Sequence, residues 1–174
     1  MSSFEKQNIF LIGFMGVGKT TVGRLLAKKI HSEFIDLDEC VVGMAGCSIS
    51  QIFDQQGEYV FRDLETMALS QLDQYGCAVV ATGGGIIGRD ENREIMQQLG
   101  LVVYLHADWS TLVDRLVDTS QRPLANSKTD ENLYKLWQNR LPLYQQADVV
   151  VHTDNLTPKQ VVDKIVSELT LYNI

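Results

Sequence analysis

Residues 11–30, LIGFMGVGKTTVGRLLAKKI, decide the fold. Gly13, Gly16, Gly18, Lys19, Thr20 and Thr21 lie between an apolar run, NIFLIG (8–13), and a helical pattern. In that pattern Val22, Leu25, Leu26 and Ile30 share one face. The spacing Gly13-x4-Gly18-Lys19-Thr20 satisfies the P-loop pattern, in the strand–loop–helix setting that the pattern requires. Glycines let backbone N–H groups turn inward and approach phosphate oxygens, and the helix that follows adds the positive end of its dipole. Lys19 can bridge the β- and γ-phosphates, and the Thr20 hydroxyl can ligate Mg²⁺. The loop is expected to hold a nucleoside triphosphate through Gly13, Gly16, Val17, Gly18, Lys19, Thr20 and Thr21.

Outward from this loop, short apolar runs alternate with helical patterns. EFID (33–36), CAVVA before GGG, LVVYLH and ADVVVH read as further strands. Residues 49–74 read as helical with a break at Gly57, and NREIMQQL, STLVDRLVD, ENLYKLWQNRLPLY and TPKQVVDKIVSELTLY complete the helices. The runs lack polar–apolar alternation, as buried parallel strands do. Five strands separated by helices predict right-handed crossovers and one α/β domain, a three-layer α/β/α arrangement on a five-stranded parallel sheet. The polar stretch DTSQRPLANSKTDEN (118–132) is the exception to this rhythm and reads as a loop.

With 174 residues, 45% hydrophobic and 21% charged, the chain suits one well-cored soluble domain. Its net charge of −7 argues against a nucleic-acid or anionic-membrane surface. Cys40, Cys47 and Cys77 have no CxxC spacing, and free thiols in a reducing cytoplasm are expected. The start, MSSFEKQNIF, reads as neither a signal peptide nor a membrane span. His31, His106 and His152 are scattered along the sequence, so no metal triad is expected of them. Trp109 and Trp137 read as helix packing residues.

P-loops serve several chemistries, so the acceptor of the γ-phosphoryl has to be read elsewhere. Ser127-Lys128-Thr129-Asp130 only approximates a guanine-reading motif and follows no strand. Asp36 and Asp38 stand two apart at a strand end, where extended chain would point both into one cleft. One could hold Mg²⁺ through water and the other accept a hydroxyl proton, although a solvated turn or a helix cap fits Asp-x-Asp equally well. Gly83, Gly84 and Gly85 carry a large entropy cost and favour close approach of backbone to a ligand. The alternative is a loop packed tightly on a neighbouring helix.

GFMGVGKTTVGRLLA, FIDLDE, SISQIFDQQGEYVFRDLE, VVATGGGII, QRPL and NRLPLYQQAD, in this order from residue 13 to residue 148, resemble the shikimate kinases. The resemblance implies a nucleoside-monophosphate-kinase-like fold with a mobile lid near residues 115–128 and an acceptor-binding helical segment near 37–65. It implies MgATP, with one Mg²⁺ per subunit, phosphorylating the 3-hydroxyl of shikimate in aromatic amino-acid biosynthesis. Arg62 and Arg140 would grip the acceptor carboxylate, because the guanidinium fork meets a carboxylate bidentately. Glu65 would orient Arg62 from one helical turn away. Asp38 would bind the reacting hydroxyl as candidate base, and Gly83, Gly84 and Gly85 would border the acceptor. Asp36 and Thr20 would serve Mg²⁺, Arg122 the transferring phosphoryl, and Arg115 and Pro158 the adenine. Ala125 departs from the leucine that the family commonly places after Arg-Pro-Leu.

The expectation is thus a cytoplasmic monomer with ATP and shikimate as small-molecule partners, touching neither nucleic acid nor membrane. A gluconate-kinase-like enzyme and a nucleotide sensor without transfer activity are the competing readings.

Overall fold

A computed structural model describes residues 7–118 and 131–171. Five strands, β1 (Asn8–Ile12), β2 (Glu33–Asp36), β3 (Ala78–Ala81), β4 (Gly100–His106) and β5 (Val149–His152), form one parallel sheet in the order β2-β3-β1-β4-β5. The helices are α1 (Lys19–Ile30), α2 (Leu37–Ala45), α3 (Ile49–Ser70), α4 (Asp90–Leu99), α5 (Trp109–Asp118), α6 (Glu131–Tyr144) and α7 (Pro158–Leu171).

β1 is buried along its whole length because it is paired on both edges and covered on both faces. Successive side chains of a strand point to opposite faces. Leu11 meets α1 beside Gly23, where a Cβ would come within 3.3 Å of it, while Ile12 lines a small cavity together with Met96 of α4 and Leu143 of α6. Helices therefore cover both sides, and the expected three layers are present. Asn8 is buried at the start of β1. Its Oδ1 accepts from Ala78 N (3.0 Å) and its Nδ2 donates to Leu99 O (3.4 Å), tying the central strand to both flanks.

Local chemistry sets the helix ends. Ser48 and Gln51 form a reciprocal capping box at the start of α3. Thr157 and Gln160 exchange the same kind of bonds around Pro158, which opens α7. Gly57 interrupts α3 with φ 86° and ψ 168°, at the break expected from the sequence. The strand order puts β1 between β3 and β4, so the loops after β1, β2 and β3 open at one end of the sheet, where α/β proteins bind ligands.

Candidate active site

The loop after β1 enters α1 through Gly18, which caps the helix with φ 100°, a left-handed conformation that a side chain would strain. Lys19 Nζ donates to Gly13 O (2.7 Å) and Phe14 O (3.2 Å), so the loop's own carbonyls hold the cation over the cleft. Thr20 Oγ1 donates to Asp36 Oδ2 at 2.9 Å, joining the first turn of α1 to the end of β2. These residues line a cavity of about 460 Å³ with Asp38, Thr82, Gly83, Gly84 and Arg115.

A second cavity of about 280 Å³ adjoins it, walled by Val17, Thr21, Arg115, Thr153, Pro158 and Val161. Arg115 is fixed there by bonds to Val17 O (3.1 Å) and Thr153 O (3.4 Å). It belongs to the last turn of α5, so the segment expected as a lid from 115 begins inside a regular helix. Arg122 and residues 119–130 lie outside the described residues.

Asp36 and Asp38 do share the cleft, but not through extended chain. Asp36 ends β2 and caps α2, its Oδ1 accepting from Asp38 N at 3.1 Å. Asp38 sits in the first helical turn, where its charge also meets the helix dipole favourably. The cap reading and the cleft reading of Asp-x-Asp hold together.

None of Gly83, Gly84 and Gly85 adopts a positive φ. Their common property is proximity. A Cβ on Gly83 would stand 2.5 Å from Glu65 Oε1 and 3.3 Å from Asp38 Oδ1, and one on Gly85 would stand 2.5 Å from Arg62 Nη2. The close approach seen is to protein: Gly83 and Gly85 yield to side chains of the neighbouring helix α3, the alternative expected from the sequence, and Gly83 also yields to Asp38.

Arg62 bonds Glu65 Oε2 at 2.5 Å and Glu58 Oε1 at 3.0 Å. Glu65 is fully buried, and its Oε1 has no hydrogen-bond partner among the described residues. Burial lifts the Glu65 carboxyl above its ordinary range, the Arg62 cation opposes that lift, and Asp38 adds to it. Arg140 stands over the Phe14 ring at 5.9 Å and interacts with both Glu65 and Tyr144. Tyr144, buried and stacked on Tyr104, donates its hydroxyl to Gly84 O at 2.6 Å. Burial raises the Tyr144 hydroxyl's pKa well above its ordinary value, so it stays a donor. The glycine run thus gathers Asp38, Arg62, Glu65 and, through Tyr144, Arg140.

The sequence matches the family profile described as shikimate kinase over residues 15–170. It is 42% identical over 163 residues to the shikimate kinase of Thermodesulfovibrio yellowstonii, covering 93% of this chain and 94% of that one. The solved structure of shikimate kinase from Acinetobacter baumannii in complex with shikimate is 38% identical, with a TM-score of 0.88 over 98% of this chain and 97% of that one. The chain belongs to the shikimate kinase family. The shikimate kinase from Aquifex aeolicus gives the same picture, with a TM-score of 0.84 at 35% identity over 94% of this chain and 96% of that one. A gluconokinase from Sinorhizobium meliloti has a TM-score of 0.65 at 18% identity, a likeness of fold alone.

As a shikimate kinase family member the chain is an ATP-dependent small-molecule kinase. Sequence reasoning gave Tyr144 and Glu58 no role as site residues. The Tyr four residues after Arg140 was the available signal for the first, since one helical turn places it beside that arginine. Although scattered in the sequence, two of the histidines meet: β4 and β5 pair in register and bring His106 and His152 to ring centroids 4.7 Å apart. Trp109 and Trp137 pack against the core as expected. No helix among the described residues is long and apolar enough to cross a membrane.

Proposed function

We propose that this kinase transfers the γ-phosphoryl of MgATP to the 3-hydroxyl of shikimate, with the residues below in the stated roles. The observation that carries this reading is the meeting of two half-sites at Gly83–Gly84. Lys19, Thr20 and Asp36 stand on the donor side, and Asp38 with the Arg62–Glu65–Arg140 group stands on the other.

The Thr20 hydroxyl and the Asp36 carboxylate are hard oxygen donors, already paired, and they would hold Mg²⁺. The ion would neutralise charge on the β- and γ-phosphates. Lys19, turning from the loop carbonyls to the phosphates, supplies further positive charge. Gly16, Val17, Gly18 and Thr21 hold the triphosphate, while Arg115 and Pro158 flank the adenine. Arg62 and Arg140 take the carboxylate of the acceptor, and Glu65 and Tyr144 hold their guanidiniums. This fixes the ring so that its 3-hydroxyl faces the γ-phosphorus beside Asp38.

The bond from phosphorus to the β,γ-bridging oxygen breaks as the bond to the 3-oxygen forms, giving ADP and the phosphate ester. The hydroxyl proton passes to the Asp38 carboxylate. In a loose transition state, alignment contributes more than early proton removal. Arg122 neutralises the equatorial oxygens of the moving group. The reading includes a cytoplasmic monomer.

A coupled assay with MgATP and shikimate tests the reaction, with gluconate as the competing acceptor. Shikimate-dependent ADP release is expected, with none from gluconate. Asp38→Asn should lower kcat by about 10²-fold or more while nucleotide still binds. Arg140→Ala should raise KM for shikimate and leave KM for ATP unchanged. ADP release indifferent to shikimate would overturn the reading.

A further inference from the structure

The carboxyl ends of β4 and β5 repeat one short pattern: His106-Ala107-Asp108 and His152-Thr153-Asp154. Parallel pairing sets His106 opposite His152, so the two imidazoles meet edge to face with centroids 4.7 Å apart. A carboxylate oxygen of Asp154 joins them, and one donor atom from each of the three residues lies within 4.8 Å of the others. We propose that His106, His152 and Asp154 form a binding site for a divalent transition-metal ion of the zinc, cobalt or nickel kind, at the opposite sheet edge from the Thr20–Asp36 pair.

The donor set chooses the metal class. Imidazole nitrogen suits zinc, nickel, copper and cobalt, whereas Mg²⁺ favours an all-oxygen, nearly octahedral shell. Two histidines and a carboxylate leave a fourth tetrahedral position for water. Metal–nitrogen bonds of about 2.0–2.1 Å require donors closer together than the present arrangement. His152 is exposed, so its ring can turn to close the set.

The surroundings already orient the ligands. Tyr104 Oη engages His106 Nδ1 at 2.9 Å, which leaves Nε2 for an ion. Such outer partners fix a ligating imidazole. Asp154 Oδ1 accepts from Asp108 N at 3.0 Å, which holds that carboxylate beside the rings. Asp108 itself reaches His106 Nε2 at 3.5 Å and is largely exposed, so it can move aside or supply the fourth donor.

The site also touches the donor cavity through the chain. Thr153, between His152 and Asp154, bonds His106 O through its N (2.8 Å) and Oγ1 (3.0 Å), and its own carbonyl accepts from Arg115. An ion at the strand ends would thus stiffen one wall of the nucleotide cavity, a regulatory contact independent of which acceptor the enzyme uses.

The test is a Co²⁺ titration of the full chain in excess Mg²⁺, followed by visible ligand-field absorption. One equivalent of Co²⁺ with tetrahedral-type bands is expected. His152→Ala should abolish the bands or weaken binding at least about tenfold, and Tyr104→Phe should weaken it about tenfold, as loss of an outer partner does. Without added Co²⁺, His152→Ala should keep its basal MgATP-dependent activity. Absence of the bands in the unmodified protein, or bands unchanged in His152→Ala, would overturn the proposal. The exposed position of His152 keeps that variant folded, so either result decides.

Discussion

Gly85 shows how a missing side chain can fix the place of another. A Cβ there would lie 2.5–2.6 Å from three guanidinium atoms of Arg62, against which real contacts have to give way. Arg62 is pinned by Glu58 and Glu65, so it would move as a whole rather than fold aside. Gly85→Ala is therefore expected to fold and to raise KM for shikimate by about tenfold or more, with KM for ATP unchanged, because misplacement by about 1 Å is costly in a site built on alignment. Steady-state kinetics with each substrate varied will show it; an unchanged shikimate KM would remove Arg62 from acceptor binding. The variant is cleaner than Arg62→Ala. That change would leave the Glu65 carboxylate buried without its cation, at about 3–5 kcal/mol.

At the scale of elements, the break in α3 is the most exacting feature. Gly57 has φ 86° and ψ 168°, a region essentially reserved for glycine. Gly57→Ala should lose about 1–3 kcal/mol in urea unfolding, or straighten the helix and disturb the pairing of α2 with α3. A variant with the stability and kinetics of the parent would show that the bend is freely replaceable. This break, like the strands and the P-loop, was legible in the sequence. Buried parallel strands read as unbroken apolar runs, and glycine inside a helical pattern has few uses. α2 was harder to see as an element of its own. It is 9 residues long and opens on Asp36 and Asp38, whose spacing suits an extended chain as well as a cap. The neighbouring histidines were hidden for another reason: only the register of β4 on β5 joins them, and register follows from the whole sheet. Tyr144 and the unpartnered Glu65 oxygen depend in the same way on where distant helices meet the glycine run.

For the molecule as a whole, the buried carboxyl of Glu65 links the site to folding stability. Burial holds its folded pKa above the ordinary value of 4.5, with Arg62 opposing and Asp38 assisting. A raised folded pKa contributes stability that is complete below the unfolded value and is lost as pH rises through the folded value. Chemical unfolding from pH 4.5 upward should therefore show the parent losing stability relative to Glu65→Gln, whose neutral amide cannot titrate. Parallel pH profiles for the two proteins would mean that Glu65 titrates in the folded state as it does in the unfolded chain.

The position of α7 bears on how the protein is made. Pro158 and Val161 complete the cavity that the P-loop begins, and α7 also packs along α1. A ribosome delivers the P-loop early and this wall much later. While α7 is still in the exit tunnel, the nascent polypeptide lacks that wall, and the cavity beside the P-loop stays open on that side until synthesis is nearly complete.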